Sequence, residues 1–327
     1  MNRFSYVSAD GRADIAQAAS ADRALGRGDD QGDDPRDKAN LGPHRLVTLS
    51  REPLALEKIE DLHGGGLRLG AFVTNAEIAY DPRAARRYPL LVAAILAGAS
   101  PLLRNAATNG GNLSQRTRCY YFYEPEAGCG GRELEVDGGS ASGGVKCVHE
   151  ILGASGASSG SHLSDMGVAL TALDAKVHIS GPSGERVVPF TEYCRLTESN
   201  PWLDNCLHPG ELMIAVDLPP EDFAQHYAYV KPHDSGTNLR ISVAVALRLE
   251  GDRISEARLA LGGFAHSPWR SPIAESGLAG ERVSRGTFAA AAHDILSGAV
   301  GDGDDDSKIE MASGAIVRAL EQAVTAI

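Results

Sequence analysis

Residues 104–123, RNAATNGGNLSQRTRCYYFY, form the most informative stretch of this 327-residue chain. Within it, Thr108-Asn109-Gly110-Gly111-Asn112 combines small and amide side chains, a composition typical of a tight turn. Paired glycines allow backbone N–H groups to approach a phosphate or a flat ring closely, where a Cβ atom would collide. Ordinary turns use the same residues, however, and the spacing alone favours a plain turn.

The composition is that of an ordinary globular protein with room for two domains. Hydrophobic residues make up 43% of the chain and charged residues 23%, which is enough apolar material for a sizeable core. The 31 basic and 43 acidic residues leave a net charge of −12, which argues against nucleic acid or an anionic membrane as a partner. Five cysteines, an odd number in a long chain, favour a reducing compartment over a disulfide framework.

The most apolar stretch, residues 88–103, is too short for a membrane span and is interrupted by Gly98, Ser100 and Pro101. It predicts a buried helix. The first twenty residues contain two aspartates and no apolar core, so we expect no secretory signal peptide on this chain.

Short-range signals predict several helices and strands. Residues 67–73 alternate like a strand, and the following Thr74 and Glu77 have the spacing of a capping box that opens a helix. Ser164 precedes a short apolar run and predicts a second helix start. The sequence GPSG at residues 181–184 predicts a β-hairpin.

The second half of the chain predicts an antiparallel meander followed by a helix. The apolar spacing of residues 309–327 is that of an amphipathic helix. Strands and helices mix without a regular βαβ alternation, so the fold class is α+β. We place the domain boundary near residue 180, which gives domains at 1–180 and 181–327. The strands of the meander are expected at residues 227–231, 242–249 and 254–261.

With its flanking residues, the glycine turn resembles the FAD-binding subunits of the xanthine dehydrogenase and aldehyde oxidoreductase family. In the periplasmic-type aldehyde oxidoreductase subunits, T-x-G-G-N-L runs directly into Q-R-T-R-C-x-Y-F-Y, as residues 108–123 do here. Further motifs match in the same order along the chain, and several motifs in order are far more specific than one. They are GGLRLGA at 65–71, HLSDM at 162–166, PGEL at 209–212 and LGGFAHSPWR at 261–270.

This resemblance implies a two-part FAD-binding domain of the PCMH (vanillyl-alcohol-oxidase-like) type, followed by a smaller C-terminal domain with an antiparallel sheet and helices. It implies FAD as the cofactor, with Asp165 accepting hydrogen bonds from FAD and Lys231 at the edge of the isoalloxazine ring. Taken alone, Asp165 could equally be a helix cap and Lys231 a solvated strand end. The residues implied to line the diphosphate and ring are Thr108, Gly110, Gly111 and Asn112, with the backbone at Leu212 and Met213 packing on the flavin.

The first flavin loop departs from the family pattern A-G-G-T-[ND]-L. The resemblance aligns it with Gly26, Arg27, Gly28, Asp29 and Asp30, which are the FAD contacts implied there. Asp29 replaces the threonine that would meet a phosphate, and a carboxylate repels a diphosphate. Arg27 offsets this repulsion if its side chain points inward.

The resemblance also implies a cysteine-containing loop, at about residues 117–162, that holds a 4Fe-4S cluster through four thiolates. Cys119 and Cys129 match the first two family ligands, whereas the other two family positions carry no cysteine here. Cys147 is a further thiol in this loop, and a histidine of the loop could be the fourth ligand. A cluster on these three cysteines and a cluster-free loop both remain open.

The resemblance favours a FAD-binding electron-transfer subunit of a molybdenum hydroxylase, with no catalytic residue that touches the organic substrate. The chain has no molybdopterin motif and no ferredoxin-type cysteine spacing, so a molybdenum-cofactor subunit and a 2Fe-2S subunit are expected as partners in a hetero-oligomer. A structural or assembly subunit with a degenerate flavin and iron–sulfur site is the alternative, and a stand-alone flavin oxidase is disfavoured. The expected location is cytoplasmic or periplasmic, because family members can be exported folded on a partner's signal.

Overall fold

The computed structural model describes a chain built around two antiparallel sheets and the helices between them. A short parallel pair, β1 (Ser5–Ala9) and β2 (Arg45–Leu49), precedes these sheets. The residues that the structure describes are 5–9, 45–49, 56–115, 152, 164–194, 205–220, 223–232, 241–299 and 306–325.

The first sheet has five antiparallel strands in the order β3-β4-β7-β5-β6. The predicted hairpin is confirmed, because β5 and β6 pair in register and are joined at residues 182–183. Residue 180, where the sequence placed the domain boundary, lies inside β5, and β7 returns to the same sheet. The strands are β3 (Ile59–Asp61), β4 (Leu67–Gly70), β5 (Lys176–Gly181), β6 (Gly184–Pro189) and β7 (Leu212–Leu218).

Five short helices follow β4 along the chain. The predicted capping box is confirmed, because Thr74 Oγ1 accepts from the Glu77 N–H and the Glu77 carboxylate accepts from the Thr74 N–H. The helices are α1 (Asn75–Tyr80), α2 (Pro82–Arg87), α3 (Pro89–Ala97), α4 (Pro101–Ala106) and α5 (Asn109–Ser114).

The single buried helix predicted for residues 88–103 is wrong in its second half. Helix α3 ends at Gly98, and Ser100 caps a new helix, α4, with Pro101 at its first position. Leu91 is fully buried in α3, whereas Leu102 is 82% exposed in α4. Proline and a capping serine redirect the chain here, so the apolar run crosses from the core to the surface.

The second sheet is the predicted meander with one extra strand, in the order β11-β10-β9-β8. Two more helices, α6 (Asp165–Ala172) and α7 (Phe190–Tyr193), precede this sheet in the chain. Ser164 caps α6 as predicted, since its hydroxyl accepts from the Gly167 N–H. The strands are β8 (Tyr227–Val230), β9 (Ser242–Glu250), β10 (Arg253–Gly262) and β11 (Trp269–Arg270).

Three helices cover the second sheet: α8 (Pro272–Leu278), α9 (Arg285–Ile295) and α10 (Asp306–Thr325). The predicted C-terminal helix is confirmed as α10, in which Ala312, Ile316 and Leu320 are fully buried. The mixed α+β fold class is therefore confirmed. Among the described residues, no helix is both long enough and apolar enough to cross a membrane.

Candidate functional site

The glycine turn lies at the start of α5, next to the end of β4. Thr108 is the N-cap, and its Oγ1 accepts from the Gly111 N–H at 3.1 Å. Thr108 also forms an isolated antiparallel bridge with Thr74, the N-cap of α1. The first turns of the two helices are thus tied together, which fixes the position of residues 108–112.

The backbone N–H groups of this turn are already used inside the protein. The Asn109 N–H donates to Val73 O at 2.8 Å, and the Gly110 N–H donates to Ala71 O at 2.7 Å. The N–H groups of Gly111 and Asn112 both donate to Thr108. These bonds correct the expectation that N–H groups of the paired glycines are available to a phosphate, because they stabilise the turn instead.

Gly110 packs closely against neighbouring residues inside the protein. A Cβ atom at this position would lie 3.1 Å from Ala71 O, 3.2 Å from Ala71 Cβ and 3.5 Å from Met213 Cε. The missing side chain therefore faces the ends of β4 and β7 at close range. A larger residue at position 110 would push against these strands rather than into the space expected for a diphosphate.

Asn109 is a buried residue that the sequence reasoning did not single out. Its side chain is fully buried, and its Nδ2 donates to Leu69 O and Gly70 O, both at 3.2 Å. Its Oδ1 is buried and has no hydrogen-bond partner in the described part of the chain. A buried amide oxygen without a donor is costly, so this atom can accept a hydrogen bond from a small polar group next to the turn.

A side-chain hydrogen bond joins the turn to the start of α6. Ser164 Oγ donates to Asn112 Oδ1 at 2.6 Å while it accepts from the Gly167 N–H at 3.0 Å. This bond spans 52 positions in the sequence, and it places Asp165, the first residue of α6, beside the glycine turn. Asn112 and Asp165, both predicted site residues, are thus brought together.

Asp165 meets two side chains from β8 and the residue after it. Tyr229 OH donates to Asp165 Oδ1 at 2.5 Å, and Lys231 Nζ donates to Asp165 Oδ2 at 2.7 Å. Burial raises the pKa of Tyr229 well above its usual value, and the Asp165 carboxylate adds to this effect. Tyr229 therefore stays neutral and donates a hydrogen bond to the carboxylate. The sequence reasoning missed Tyr229, although its spacing two residues before Lys231 places both on one face of the strand.

The other predicted residues are Leu212 and Met213 on β7 and a set that lies outside the described part of the chain. Leu212 is partly buried at the start of β7, and the neighbouring Met213 approaches the Gly110 position. The residues that lie outside the described part of the chain are Gly26, Arg27, Gly28, Asp29, Asp30, Cys119, Cys129 and Cys147.

The described residues hold no group of three or more His, Cys, Asp or Glu side chains that could bind a metal ion. The described cysteines, Cys194 and Cys206, are thiols that take part in no disulfide bond, and Cys194 is buried. Arg186 Nη2 donates to the backbone oxygen of Cys206 at 2.9 Å and to Glu211 at 2.7 Å. These contacts are structural and lie in the part of the fold around β6.

The arrangement fits a polar cofactor that is held mainly by side chains. The Asn112 amide bonds Ser164 next to the Asp165 carboxylate, which pairs with the Lys231 ammonium, while the Thr108 hydroxyl lies at the start of α5 in the same turn as Asn112. Asp165 is 13% exposed and Lys231 is 29% exposed, so this ion pair remains accessible at the edge of the fold. At one edge, a carboxylate can accept hydrogen bonds from a heterocycle and an ammonium group can donate hydrogen bonds to it.

Two sequence families match the chain. The FAD-binding domain in molybdopterin dehydrogenase matches residues 35–221, and the CO dehydrogenase flavoprotein C-terminal domain matches residues 239–323. The chain belongs to the FAD-binding subunits of the molybdenum hydroxylase family. The expected order of an FAD-binding domain and a smaller C-terminal domain is thereby confirmed, as is the expected FAD-binding character of the chain.

Individual relatives of this flavoprotein subunit agree with the family. The aldehyde oxidoreductase FAD-binding subunit of Escherichia coli is 41% identical over 254 residues, which cover 77% of this chain and 78% of that one. The carbon monoxide dehydrogenase medium chain of Hydrogenophaga pseudoflava is 25% identical, with 86% and 82% covered. In fold, the chain is similar to the crystal structure of quinoline 2-oxidoreductase from Pseudomonas putida 86, with a TM-score of 0.73, 22% identity, and 99% and 98% covered.

Proposed function

We propose that this subunit receives electrons from iron–sulfur centres on a partner, holds them on FAD and passes them to an external acceptor. The partners in this proposal are a 2Fe-2S subunit and a molybdenum-cofactor subunit, and the latter selects the organic substrate. The 41% identity to a subunit of an aldehyde oxidoreductase makes aldehydes the first substrates to test with the assembled complex.

The observation that carries this proposal is the convergence of three separate parts of the chain on one edge of the fold. Asn112 comes from α5, Asp165 from α6, and Lys231 from the end of β8. Asn112 reaches α6 through Ser164, and Lys231 reaches it through Asp165. These contacts bring groups that can accept and donate hydrogen bonds to one accessible edge, and we infer FAD as their common ligand.

In this proposal the side chains, rather than the backbone of the glycine turn, hold FAD. Thr108 and Asn112 bind the cofactor through hydroxyl and amide groups, Asp165 accepts from it, and Lys231 donates to it. Gly110 and Gly111 keep the turn close to β4, and Leu212 packs beside the ring. FAD, when bound, supplies the redox chemistry that accepts and releases electrons.

Two further assignments belong to the proposal and concern residues outside the described part. Residues 26–30 would complete the flavin site, with Arg27 offsetting the charge of Asp29. The three loop cysteines Cys119, Cys129 and Cys147 would hold a 4Fe-4S cluster only with a fourth ligand of another kind.

We also propose that the domain boundary lies not at residue 180 but in the segment between β7 and β8, residues 219–226.

The alternative function is an assembly subunit that keeps the fold without a working flavin site. The internal use of the N–H groups of the turn favours it, because a phosphate cannot bind those groups without breaking the turn. The Asp165–Lys231 pair at the accessible edge favours the flavin-binding function instead.

Anaerobic reduction of the assembled complex tests the proposal. On addition of an aldehyde, the flavin absorbance of the complex should bleach, because electrons from the partner reach FAD on this chain. The isolated subunit should show no bleaching with the same aldehyde. Bleaching of the isolated chain, or an assembled complex that turns over without flavin on this subunit, would contradict the electron-transfer role.

A further inference from the structure

Helix α6 is held at both of its ends by the second sheet. Its first residue, Asp165, binds Tyr229 and Lys231 at β8, one edge of this sheet. Its C-terminal end reaches β10 and β11 at the opposite edge. The eight residues of α6 span about 12 Å, so one rigid element crosses the sheet from edge to edge.

The packing between α6 and β10 is close along the middle of the helix. A Cβ atom on Gly262 would lie 2.6 Å from Val168 Cγ2, so glycine is required where the helix crosses this strand. Val168 and its neighbours Ala169 and Leu170 are buried. A helix packed this closely moves as a unit, because close-packed interiors transmit displacement rather than absorb it.

Asp174 forms the attachment at the C-terminal end. Its carboxylate accepts from Arg258 on β10 through one oxygen and from Arg270 on β11 through the other. Arg270 also donates to Thr171 O, a carbonyl in the last turn of α6, at 3.1 Å. Positive charge at this position is favourable, because the carbonyl end of a helix carries partial negative charge.

Asp174 occupies the left-handed position that ends helix α6. Its φ of +49° is left-handed, and Asp174 is the one non-glycine residue with positive φ among the residues described. The Asp174 N–H donates to Thr171 O at 3.4 Å and the Ala175 N–H donates to Leu170 O at 3.1 Å, which are the hydrogen bonds of a Schellman C-cap. This helix ending places the Asp174 carboxylate, which is 49% exposed, next to Arg258 and Arg270.

Glu275 holds Arg270 in place from the other side. Its two carboxylate oxygens accept from Arg270 Nε at 2.6 Å and from Nη2 at 3.0 Å. Glu275 also accepts from the Leu259 N–H at 2.9 Å, which ties the pair to β10. The Arg270 guanidinium is therefore fixed to the second sheet by contacts that do not involve Asp174.

We propose that Asp174, Arg258 and Arg270 are positioning residues for the flavin site, and this inference rests on the proposed function. They fix the C-terminal end of α6 on the second sheet, and the rigid helix then sets where Asp165 meets Tyr229, Lys231 and the flavin. The C-terminal domain thus determines the geometry of a site on the FAD-binding domain without contacting the cofactor through these three residues.

The test compares the full-length wild type with Asp174→Asn and Asp174→Gly. Glycine removes the carboxylate and also relieves the positive φ, so this variant should fold with nearly unchanged thermal stability. Both variants should raise the Kd for FAD roughly tenfold and shift the midpoint potential of the bound flavin. Asp252→Asn, which removes an exposed ion pair with Arg282 elsewhere on the C-terminal domain, is the matched control and should change neither quantity.

The possible outcomes separate this inference from the proposed function. Variants that keep the wild-type Kd for FAD and midpoint potential, with or without a lower Tm, would mean that the Asp174 contacts serve stability alone and would overturn the inference. A wild-type chain that binds no FAD would overturn the proposed function and the inference together. A raised Kd and a shifted potential in Asp174→Gly, with its Tm maintained, would support the positioning role.

Discussion

Lys231 Nζ lies 2.7 Å from Asp165 Oδ2, although the two residues are 66 positions apart in the chain. Asp165 begins α6, and Lys231 follows β8. With Tyr229 on the other oxygen, the Asp165 carboxylate joins the FAD-binding domain to the C-terminal domain at the edge where the flavin is proposed to bind. The same carboxylate therefore has both a structural and a proposed cofactor-binding role.

Asp165→Asn should weaken FAD binding by about tenfold, because a charged acceptor is lost at the site, and hydrogen bonds to charged groups are the strong ones. A fluorescence titration of the purified chain with FAD measures this Kd. Lys231→Met should weaken binding as well, and the double variant should lose less than the sum of the two, because the residues act as a pair. An unchanged Kd in both single variants would exclude this pair from the site.

Gly110→Ala should destabilise the fold by about 1–3 kcal/mol, because the added Cβ meets Ala71 at 3.1–3.2 Å. Urea unfolding of the chain without FAD measures this effect apart from cofactor binding. Gly314→Ala in α10 is the matched control, since no atom lies within 4 Å of its Cβ position, and it should be neutral or stabilising. Equal stability of Gly110→Ala and wild type would contradict this prediction and show that the turn shifts to make room for the added Cβ.

Thr108→Val should lower both stability and FAD content, whereas Thr108→Ser should keep both near the wild-type values. Valine removes the oxygen that accepts from the Gly111 N–H, and loss of such a cap costs about 1 kcal/mol. Serine keeps that oxygen and the hydroxyl proton proposed to face the cofactor. The measurements are flavin content per chain and Tm. Full flavin retention in Thr108→Val would show that the Thr108 hydroxyl does not contact FAD.

Asp217 should stabilise the protein in a pH-dependent way through Arg68 and His178. Burial opposes ionisation of this carboxyl, but the hydrogen bond from Arg68 and the charge of His178 outweigh it and lower the pKa of Asp217. A lowered folded pKa means that the stabilisation is complete above the ordinary pKa of about 4. It is lost as the pH falls through that value towards the lower pKa of the folded state.

The measurement is the difference in unfolding free energy between wild type and Asp217→Asn as a function of pH. This difference should shrink as the pH falls below about 4, where the Asp217 carboxylate takes up a proton. Subtracting the variant removes the contributions of Asp61, Asp81 and Glu211, whose pKa values are also lowered by arginine partners. A difference that grows with acidification would contradict the ion-pair explanation.

The sequence predicted the features of this fold that depend on neighbouring residues. The capping box of Thr74 and Glu77, the cap at Ser164 and the hairpin at residues 181–184 all form through local hydrogen bonds, and all three are present. The single helix predicted across residues 88–103 is wrong, because Ser100 and Pro101 begin a new helix inside the apolar run.

The site itself could not be derived from local patterns. Lys231 has the sequence context of a solvated strand end, and only the long-range contact with Asp165 gives it a partner. The period-two spacing of Tyr229 and Lys231 indicates a shared strand face but not the Asp165 partner, and the burial of Asn109 depends on contacts with the distant β4. The close approach of Gly110 to Ala71, just after β4, is a long-range contact that the turn sequence does not reveal, and the contact of Gly110 with FAD stays a prediction. Only the resemblance to a family pointed to Asp165 and Lys231 as site residues, because residue spacing alone does not.

The absorbance spectrum of the purified chain, recorded together with its iron content, tests the central claim most directly. Flavin bands at about one FAD per chain are the predicted result for a subunit that carries electrons. About four irons per chain would add that the loop cysteines hold a 4Fe-4S cluster. A colourless chain that still assembles with its partners would contradict the electron-transfer role and leave an assembly subunit with a degenerate flavin site.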